Sequence, residues 1–182
     1  MRFHYFAYGS NMLTARLRAR CPSARPVGRA EVADFALAFN KRGRDDSGKA
    51  TLARSTQGHP RSYGVLFEMD AAELGQLDRI EGVDKGYERK DAFAVRLLDG
   101  GGTVHARTYR ATLTDDRLKP YDWYLALVIA GAREHRLDAA YVATLRRVAF
   151  ATDPQPARPG RKAAIGALAA AGIADYRALL AD

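Results

Sequence analysis

The chain has 182 residues, of which 47% are hydrophobic and 27% charged, and it carries a formal net charge of +8. That length buries a core in one domain without disulfides or metals, and the composition excludes general disorder. The longest apolar run, residues 123–132, is too short to span a bilayer. The opening Met1-Arg2-Phe3-His4-Tyr5 lacks the basic and apolar regions of a secretory signal, and the single Cys21 has no partner for an internal disulfide. A cytoplasmic protein is the expectation. The positive charge is spread along the chain, with arginine far exceeding lysine amid abundant alanine. Codon bias explains this better than a nucleic-acid footprint, and the densest basic cluster, Arg158 to Lys162, reads as a solvated turn among prolines.

Taken in order, Phe3 to Tyr8 is short, aromatic and apolar on both faces, as a central strand requires. Gly9-Ser10 breaks it, and Ser10 or Asn11 is placed to cap a helix with Leu13 and Leu17 on one face, ending before Pro22. Val32 to Phe39 reads as one strand, Lys41 to Lys49 as a polar loop, and Ala50 to Ala53 and Ser62 to Glu68 as further strands. Asp70 and Glu73 form a capping-box pattern opening a helix that Gly82 terminates. Phe93, Val95 and Leu97 alternate, and Asp99-Gly100-Gly101-Gly102 turns the chain back into Val104 to Tyr109, which is a hairpin. Helices are expected from Pro120, from Asp138 to Phe150, and within Ala163 to Leu180 after the stiff run Pro154, Pro156 and Pro159. Strands this often consecutive, with helices inserted singly and then grouped at the end, imply an α+β fold. The expected architecture is a mixed, barrel-like sheet with surrounding helices over residues 1–153. A helical extension over 154–182 would pack on the domain, mediate a homodimer or cover the site.

Two places carry chemistry. Tyr8-Gly9-Ser10-Asn11 joins a strand to a helix, where free N–H groups form a site for a carboxylate or phosphate and Gly9 admits close approach. Taken alone, an ordinary capped turn accounts for it better. Glu81 continues the stripe of Leu74 and Leu77, so a carboxylate stands where periodicity expects an apolar residue. Burial would raise its pKa toward that of a general base, and Asp78 one turn earlier would add like-charge repulsion. A helix already ended at position 81, with the side chain in water, is an equal reading of the same pattern. His4, His59, His105 and His135 show no metal-ligand spacing, Cys21 has no recognisable partner, and no phosphate-loop or dinucleotide fingerprint occurs.

Together the segments resemble a known set. Phe6-Ala7-Tyr8-Gly9-Ser10-Asn11-Met12 resembles the Y-G-S-N signature of the γ-glutamylcyclotransferase superfamily, and Leu77-Asp78-Arg79-Ile80-Glu81-Gly82-Val83 resembles its L-D-x-x-E-G-V segment. Gly48-Lys49-Ala50-Thr51-Leu52, Tyr63-Gly64-Val65-Leu66-Phe67, Tyr124 and Gly131-Ala132-Arg133-Glu134 are similar in kind and order. The resemblance implies a barrel-like sheet and conversion of a small γ-glutamyl substrate to pyroglutamate by intramolecular aminolysis, without metal or organic cofactor. It implies Glu81 as catalytic acid/base, the Tyr8 to Asn11 turn as holder of the substrate carboxylate, and Tyr124 in the pocket. Where the family often has a Pro-Ser pair, this chain has Pro120-Tyr121-Asp122, which leaves the leaving-group end of the pocket and the preferred substrate open. A relative acting on γ-glutamyl groups of a carrier protein, and a non-catalytic basic nucleic-acid-binding module, are the competing readings.

Overall fold

The computed structural model describes residues 1–55 and 57–181. The strands are β1 (Arg2–Ala7), β2 (Arg25–Ala33), β3 (Phe35–Arg42), β4 (Gly48–Arg54), β5 (Arg61–Asp70), β6 (Tyr87–Leu97) and β7 (Thr103–Ala111). The helices are α1 (Thr14–Arg18), α2 (Leu74–Glu81), α3 (Asp122–Glu134), α4 (Ala139–Arg146) and α5 (Pro159–Ala170), with 3₁₀ turns at Ser10–Met12, Ala71–Glu73 and Tyr176–Leu179. Five strands close into a barrel in the order β1-β5-β2-β6-β7, and β3 with β4 forms a separate two-stranded ribbon. Every barrel pairing is antiparallel except that of β1 with β7, where Tyr5 faces Arg107. The mixed, barrel-like sheet read from the strand pattern is therefore present. Closure explains why β1 is apolar on both faces: Phe3, Tyr5, Phe6 and Ala7 are all buried, between the barrel interior and the helices.

Several sequence expectations are corrected. The single strand expected over Val32 to Phe39 is two strands, because Asp34 sits at φ 62° and turns the chain out of the barrel into the β3–β4 ribbon. Asp and Asn tolerate that left-handed geometry better than most residues, which is the signal that was there to be read. The polar loop shrinks to residues 43–47, since pairing of Lys41 with Lys49 and Arg42 with Gly48 carries the ribbon further. Neither Ser10 nor Asn11 caps a helix through its side chain; both side chains are engaged elsewhere. The capping box forms by half. Asp70 accepts from the Ala72 N–H at 3.0 Å, but Glu73 turns away to the Ser23 hydroxyl at 2.5 Å. The helix expected over Asp138 to Phe150 ends at Arg146, and the C-terminal helix begins earlier, at Pro159, and stops before Gly172 at φ 80°.

α3 is the central buttress. All residues from Asp122 to Ala132 are buried, so this helix is apolar around its whole circumference rather than along one stripe. It packs on the Ser10–Met12 turn, α4, α5 and the Tyr176–Leu179 turn. At Gly131 the contact with the Ser10–Met12 turn leaves no room for a side chain: a Cβ there would lie 2.5 Å from the Leu13 nitrogen and 2.6 Å from the Met12 carbonyl carbon. One turn on, the Glu134 carboxylate accepts from the Thr14 N–H at 2.8 Å. The Gly131-Ala132-Arg133-Glu134 stretch thus braces the turn that follows β1. Gly131→Ala must displace backbone, and overpacking of this kind costs about 1–3 kcal/mol. A thermal melt is expected to show that loss, together with reduced turnover as the turn shifts.

The extension is fastened to the same helix. Tyr176 donates to Asp122 at 3.0 Å, while Trp123 and Arg158 both donate to buried Asp153 at 2.9 Å. No helix among the described residues is long and apolar enough to cross a membrane.

Candidate active site

β1 ends at Ala7, and the chain turns sharply through Gly9 at the mouth of the barrel. Gly9 has φ −115° and ψ −145°, and the space around it also excludes a side chain. A Cβ would stand 2.9 Å from the Ala50 Cβ and 3.5 Å from the Tyr124 hydroxyl. The close approach that the sequence suggested for a ligand is used, in the protein, by β4 and α3. It draws the turn, β4 and α3 around one small recess.

Glu81 is the last residue of α2, and Gly82 at φ 77° closes the helix immediately after it. Leu77 on the same face is fully buried, and it anchors that face to the barrel. Glu81 is therefore neither in open water nor in the apolar core. Its side chain is 16% exposed and lines the recess, together with Tyr5, Tyr8, Gly9, Ser10, Asn11, Ala50, Tyr87, Tyr109 and Tyr124. All six residues singled out from sequence, Tyr8, Gly9, Ser10, Asn11, Glu81 and Tyr124, border this one space of about 30 Å³.

Asn11 organises the carboxylate. Its Nδ2 donates to Glu81 Oε1 at 2.6 Å and to the Tyr5 hydroxyl at 3.1 Å, while its Oδ1 accepts from Arg20 Nη1 at 2.9 Å. Arg20 Nη1 also stands 4.0 Å from Glu81 Oε1. Hydrogen bonds to the backbone fix the hydroxyls of three of the lining tyrosines. Tyr8 donates to the Tyr109 carbonyl, Tyr87 donates to the Ala50 carbonyl at 2.6 Å, and the Tyr124 hydroxyl accepts from the Ala50 N–H at 3.0 Å. Burial is the main cause that raises the pKa of each of Tyr5, Tyr8, Tyr87 and Tyr124, so all four remain neutral hydroxyls near neutral pH.

Burial also raises the pKa of Glu81, opposed in turn by Arg20, the Asn11 hydrogen bond, Arg16 and Lys41. The like-charge repulsion expected from Asp78 is absent from this balance. Asp78 instead accepts from the Tyr109 hydroxyl at 2.7 Å and pairs with Arg89, on the far side of the tyrosine layer. A carboxylate lifted by burial and held back by Arg20 should respond to loss of that cation. In Arg20→Leu the pKa rises further, so the acid limb of kcat/KM is expected to move to higher pH. A limb that stays in place or moves to lower pH would contradict the assignment of that limb to Glu81.

Sequence reasoning missed Tyr5, Tyr87, Tyr109, Arg16, Arg20 and Lys41. Tyr87 and Tyr109 arrive through barrel closure, which no local pattern encodes. Arg16 is buried on a five-residue helix, with Nε donating to Ser10 Oγ at 3.2 Å. Cys21 lies outside the recess, buried, with its thiol pushed up to about 11 mainly by burial. Among the described residues no group of three His, Cys, Asp or Glu side chains converges as a metal site.

The recess opens outward. Ser10, Glu81, Tyr87 and Tyr124 are shared with a cleft of about 950 Å³, walled by β3, the loop after it, the segment following α2, and the start of α5.

Residues 61–145 match the AIG2-like family. The chain is 32% identical over 151 residues to γ-glutamylcyclotransferases of Bos taurus and Homo sapiens, covering 80% of this chain and 78% of each relative. A solved γ-glutamyl cyclotransferase superposes with a TM-score of 0.81 at 28% identity, over 91% of this chain and 99% of that one. An uncharacterized human protein superposes with a TM-score of 0.80 at 29% identity, over 91% and 98% of the two chains. With a closed mixed barrel and this extent of identity, the chain belongs to the γ-glutamylcyclotransferase family.

Proposed function

We propose that this protein converts a γ-glutamyl amino acid or amine to pyroglutamate and the free amino acid or amine, with Glu81 moving the protons. The observation that carries the reading is the hydrogen-bonded Glu81–Asn11–Arg20 arrangement at the junction of a narrow tyrosine-lined recess and an open cleft. The recess is too small for a whole γ-glutamyl dipeptide, so a substrate spans both spaces with its reacting centre beside Glu81.

The substrate brings its own nucleophile, which makes attack unimolecular once the glutamyl group is folded back on itself. Glu81 takes a proton from the α-ammonium, and the freed amine attacks the γ-carbonyl carbon to form the lactam C–N bond. Glu81 returns that proton to the leaving nitrogen and takes the second proton from the new ring nitrogen. The old C–N bond then breaks, and the departing amine collects the second proton and leaves as an ammonium ion. Two protons pass from one nitrogen to the other, and no water is consumed. The Ser10 and Asn11 N–H groups, which among the described residues have no backbone acceptor in the turn and loop bonds, hold the substrate carboxylate. Tyr124, fixed through Ala50, shapes the wall beside the scissile bond. Cytoplasmic glutathione-related metabolism suits such an activity. A γ-glutamyl group on a carrier protein would need the same carboxylate and is the alternative substrate, while nucleic-acid binding needs none and is the lesser reading.

The test is incubation of the purified protein with γ-glutamylalanine. Release of pyroglutamate and alanine is expected at a rate proportional to enzyme. No pyroglutamate from this compound or from other γ-glutamyl amino acids and amines would overturn the reading.

A further inference from the structure

The cleft outside the recess has a charge imbalance that the reaction itself does not require. Its walls carry Arg16, Arg20, Lys41, Arg42, Arg44, Lys49, Lys85 and Arg158 against only Asp45 and Glu81. Four of these cations are already engaged. Arg158 pairs with Asp153, Lys49 with Asp45, and Arg42 with Asp46 and Asp115, while Arg20 serves Asn11 and Glu81. Among the described residues, Arg16, Lys41, Arg44 and Lys85 have no carboxylate within salt-bridge distance.

Two of the four are inside the protein. Arg16 is 8% and Lys41 9% exposed. Arg16 borders the cleft and, among the described residues, has one side-chain hydrogen bond, from Nε to Ser10. Lys41 Nζ lies 4.7 Å over the Tyr87 ring and makes no hydrogen bond among the described residues. Taking a cation out of water is costly, and burial lowers the pKa of both groups, a cost that the Glu81 carboxylate offsets in part for each. Arg44 and Lys85 are exposed at the mouth. The sites are thus graded, with two buried cations near Glu81 and two free ones outside.

A γ-glutamyl amino acid has one carboxylate on the glutamyl part and one on the leaving amino acid. The glutamyl carboxylate is taken by the Ser10 and Asn11 N–H groups and the leaving amino acid's by Arg16 and Lys41, which leaves the pair at the mouth unanswered. Resting on the cyclisation activity above, we propose that the cleft is a leaving-group subsite for acidic amino acids, so that γ-glutamyl donors whose leaving group is glutamate or aspartate are preferred. The side-chain carboxylate of such a leaving group reaches Arg44 and Lys85, while its α-carboxylate meets Arg16 and Lys41.

The experiment compares γ-glutamylglutamate with γ-glutamylglutamine, which matches it in shape and lacks the charge, using γ-glutamylalanine as the reference for turnover. The acidic compound is expected to show roughly tenfold higher kcat/KM through a lower KM, as one charged hydrogen bond supplies. The ratio should shrink as salt rises from about 50 to 500 mM, because charges at the mouth are screened. In the double variant Arg44→Ala/Lys85→Ala, both changes being at exposed positions, the ratio should fall close to one. Equal kcat/KM for the two compounds in the wild-type protein, with γ-glutamylalanine still converted, would overturn the subsite and leave the cyclisation standing. A preference that survives both salt and the double variant would also overturn it. No pyroglutamate from any of the three would overturn the activity and the subsite together.

Discussion

Glu81→Gln is expected to give a folded protein whose kcat is lower by about 10²- to 10⁴-fold, the range for loss of a positioned general acid/base. The substitution keeps the shape of the side chain and an oxygen to accept from Asn11 Nδ2, so the 2.6 Å hydrogen bond can persist while the proton carrier is lost. Stability should move the other way. Burial raises Glu81's pKa, so the folded state binds this proton more tightly than the unfolded chain does. Such a group favours the fold below its unfolded pKa, and that contribution fades as pH rises through its higher folded pKa. Near neutrality the ionised Glu81 therefore weighs against the fold, and the glutamine variant should melt no lower than the wild type. Unchanged kcat in the folded variant would remove Glu81 from the chemistry. A large drop in melting temperature at neutral pH would show instead that the carboxylate is a structural ion pair.

An N-acetyl-γ-glutamyl amino acid should not be turned over at all. Acetylation draws the α-nitrogen lone pair into an amide and leaves the α-carboxylate and the γ-amide bond untouched, so binding groups remain while the nucleophile is lost. The recess offers no replacement. Ser10 Oγ is engaged by Arg16 at 3.2 Å, Cys21 lies elsewhere with its thiol raised to about 11, and the tyrosine hydroxyls are neutral and fixed. Competitive inhibition by the acetylated compound without product, followed by chromatography, is the expected result. Its hydrolysis would make the enzyme an amidase.

Much of this was legible in the chain, and what was not has physical causes. The strand at Phe3 to Tyr8, the hairpin at the glycine triplet and the stop at Gly82 were readable because each depends on local chemistry: two-sided burial, turn residues and a left-handed cap. Glu81 stood out because a carboxylate interrupts a stripe anchored by Leu77. The break at Asp34 was hidden, since its apolar neighbours continue the strand pattern across the turn. The roles of Ser10 and Asn11 were misjudged for a related reason. As sequence they are good caps, but their side chains find Arg16, Glu81, Tyr5 and Arg20, contacts that span up to 70 residues. Gly9, which the sequence suggests leaves room for a ligand, and Gly131 are both packing contacts in the fold. The basic cleft was the least visible feature. Its cations come from α1 and the residues after it, β3, the loop after β3, β4, the segment before β6 and the residue before α5, so along the chain they look like the diffuse charge of an arginine-rich protein.

The central claim is that the substrate's own amine, with Glu81 carrying protons, displaces the leaving group. Mass spectrometry of the products of γ-glutamylalanine turnover in ¹⁸O-enriched water tests it most directly. Pyroglutamate without incorporated ¹⁸O, formed in step with alanine, is the expected result, because the new bond is made from substrate nitrogen. Glutamate carrying ¹⁸O in its γ-carboxylate as the first product would contradict it, because water would then be the nucleophile.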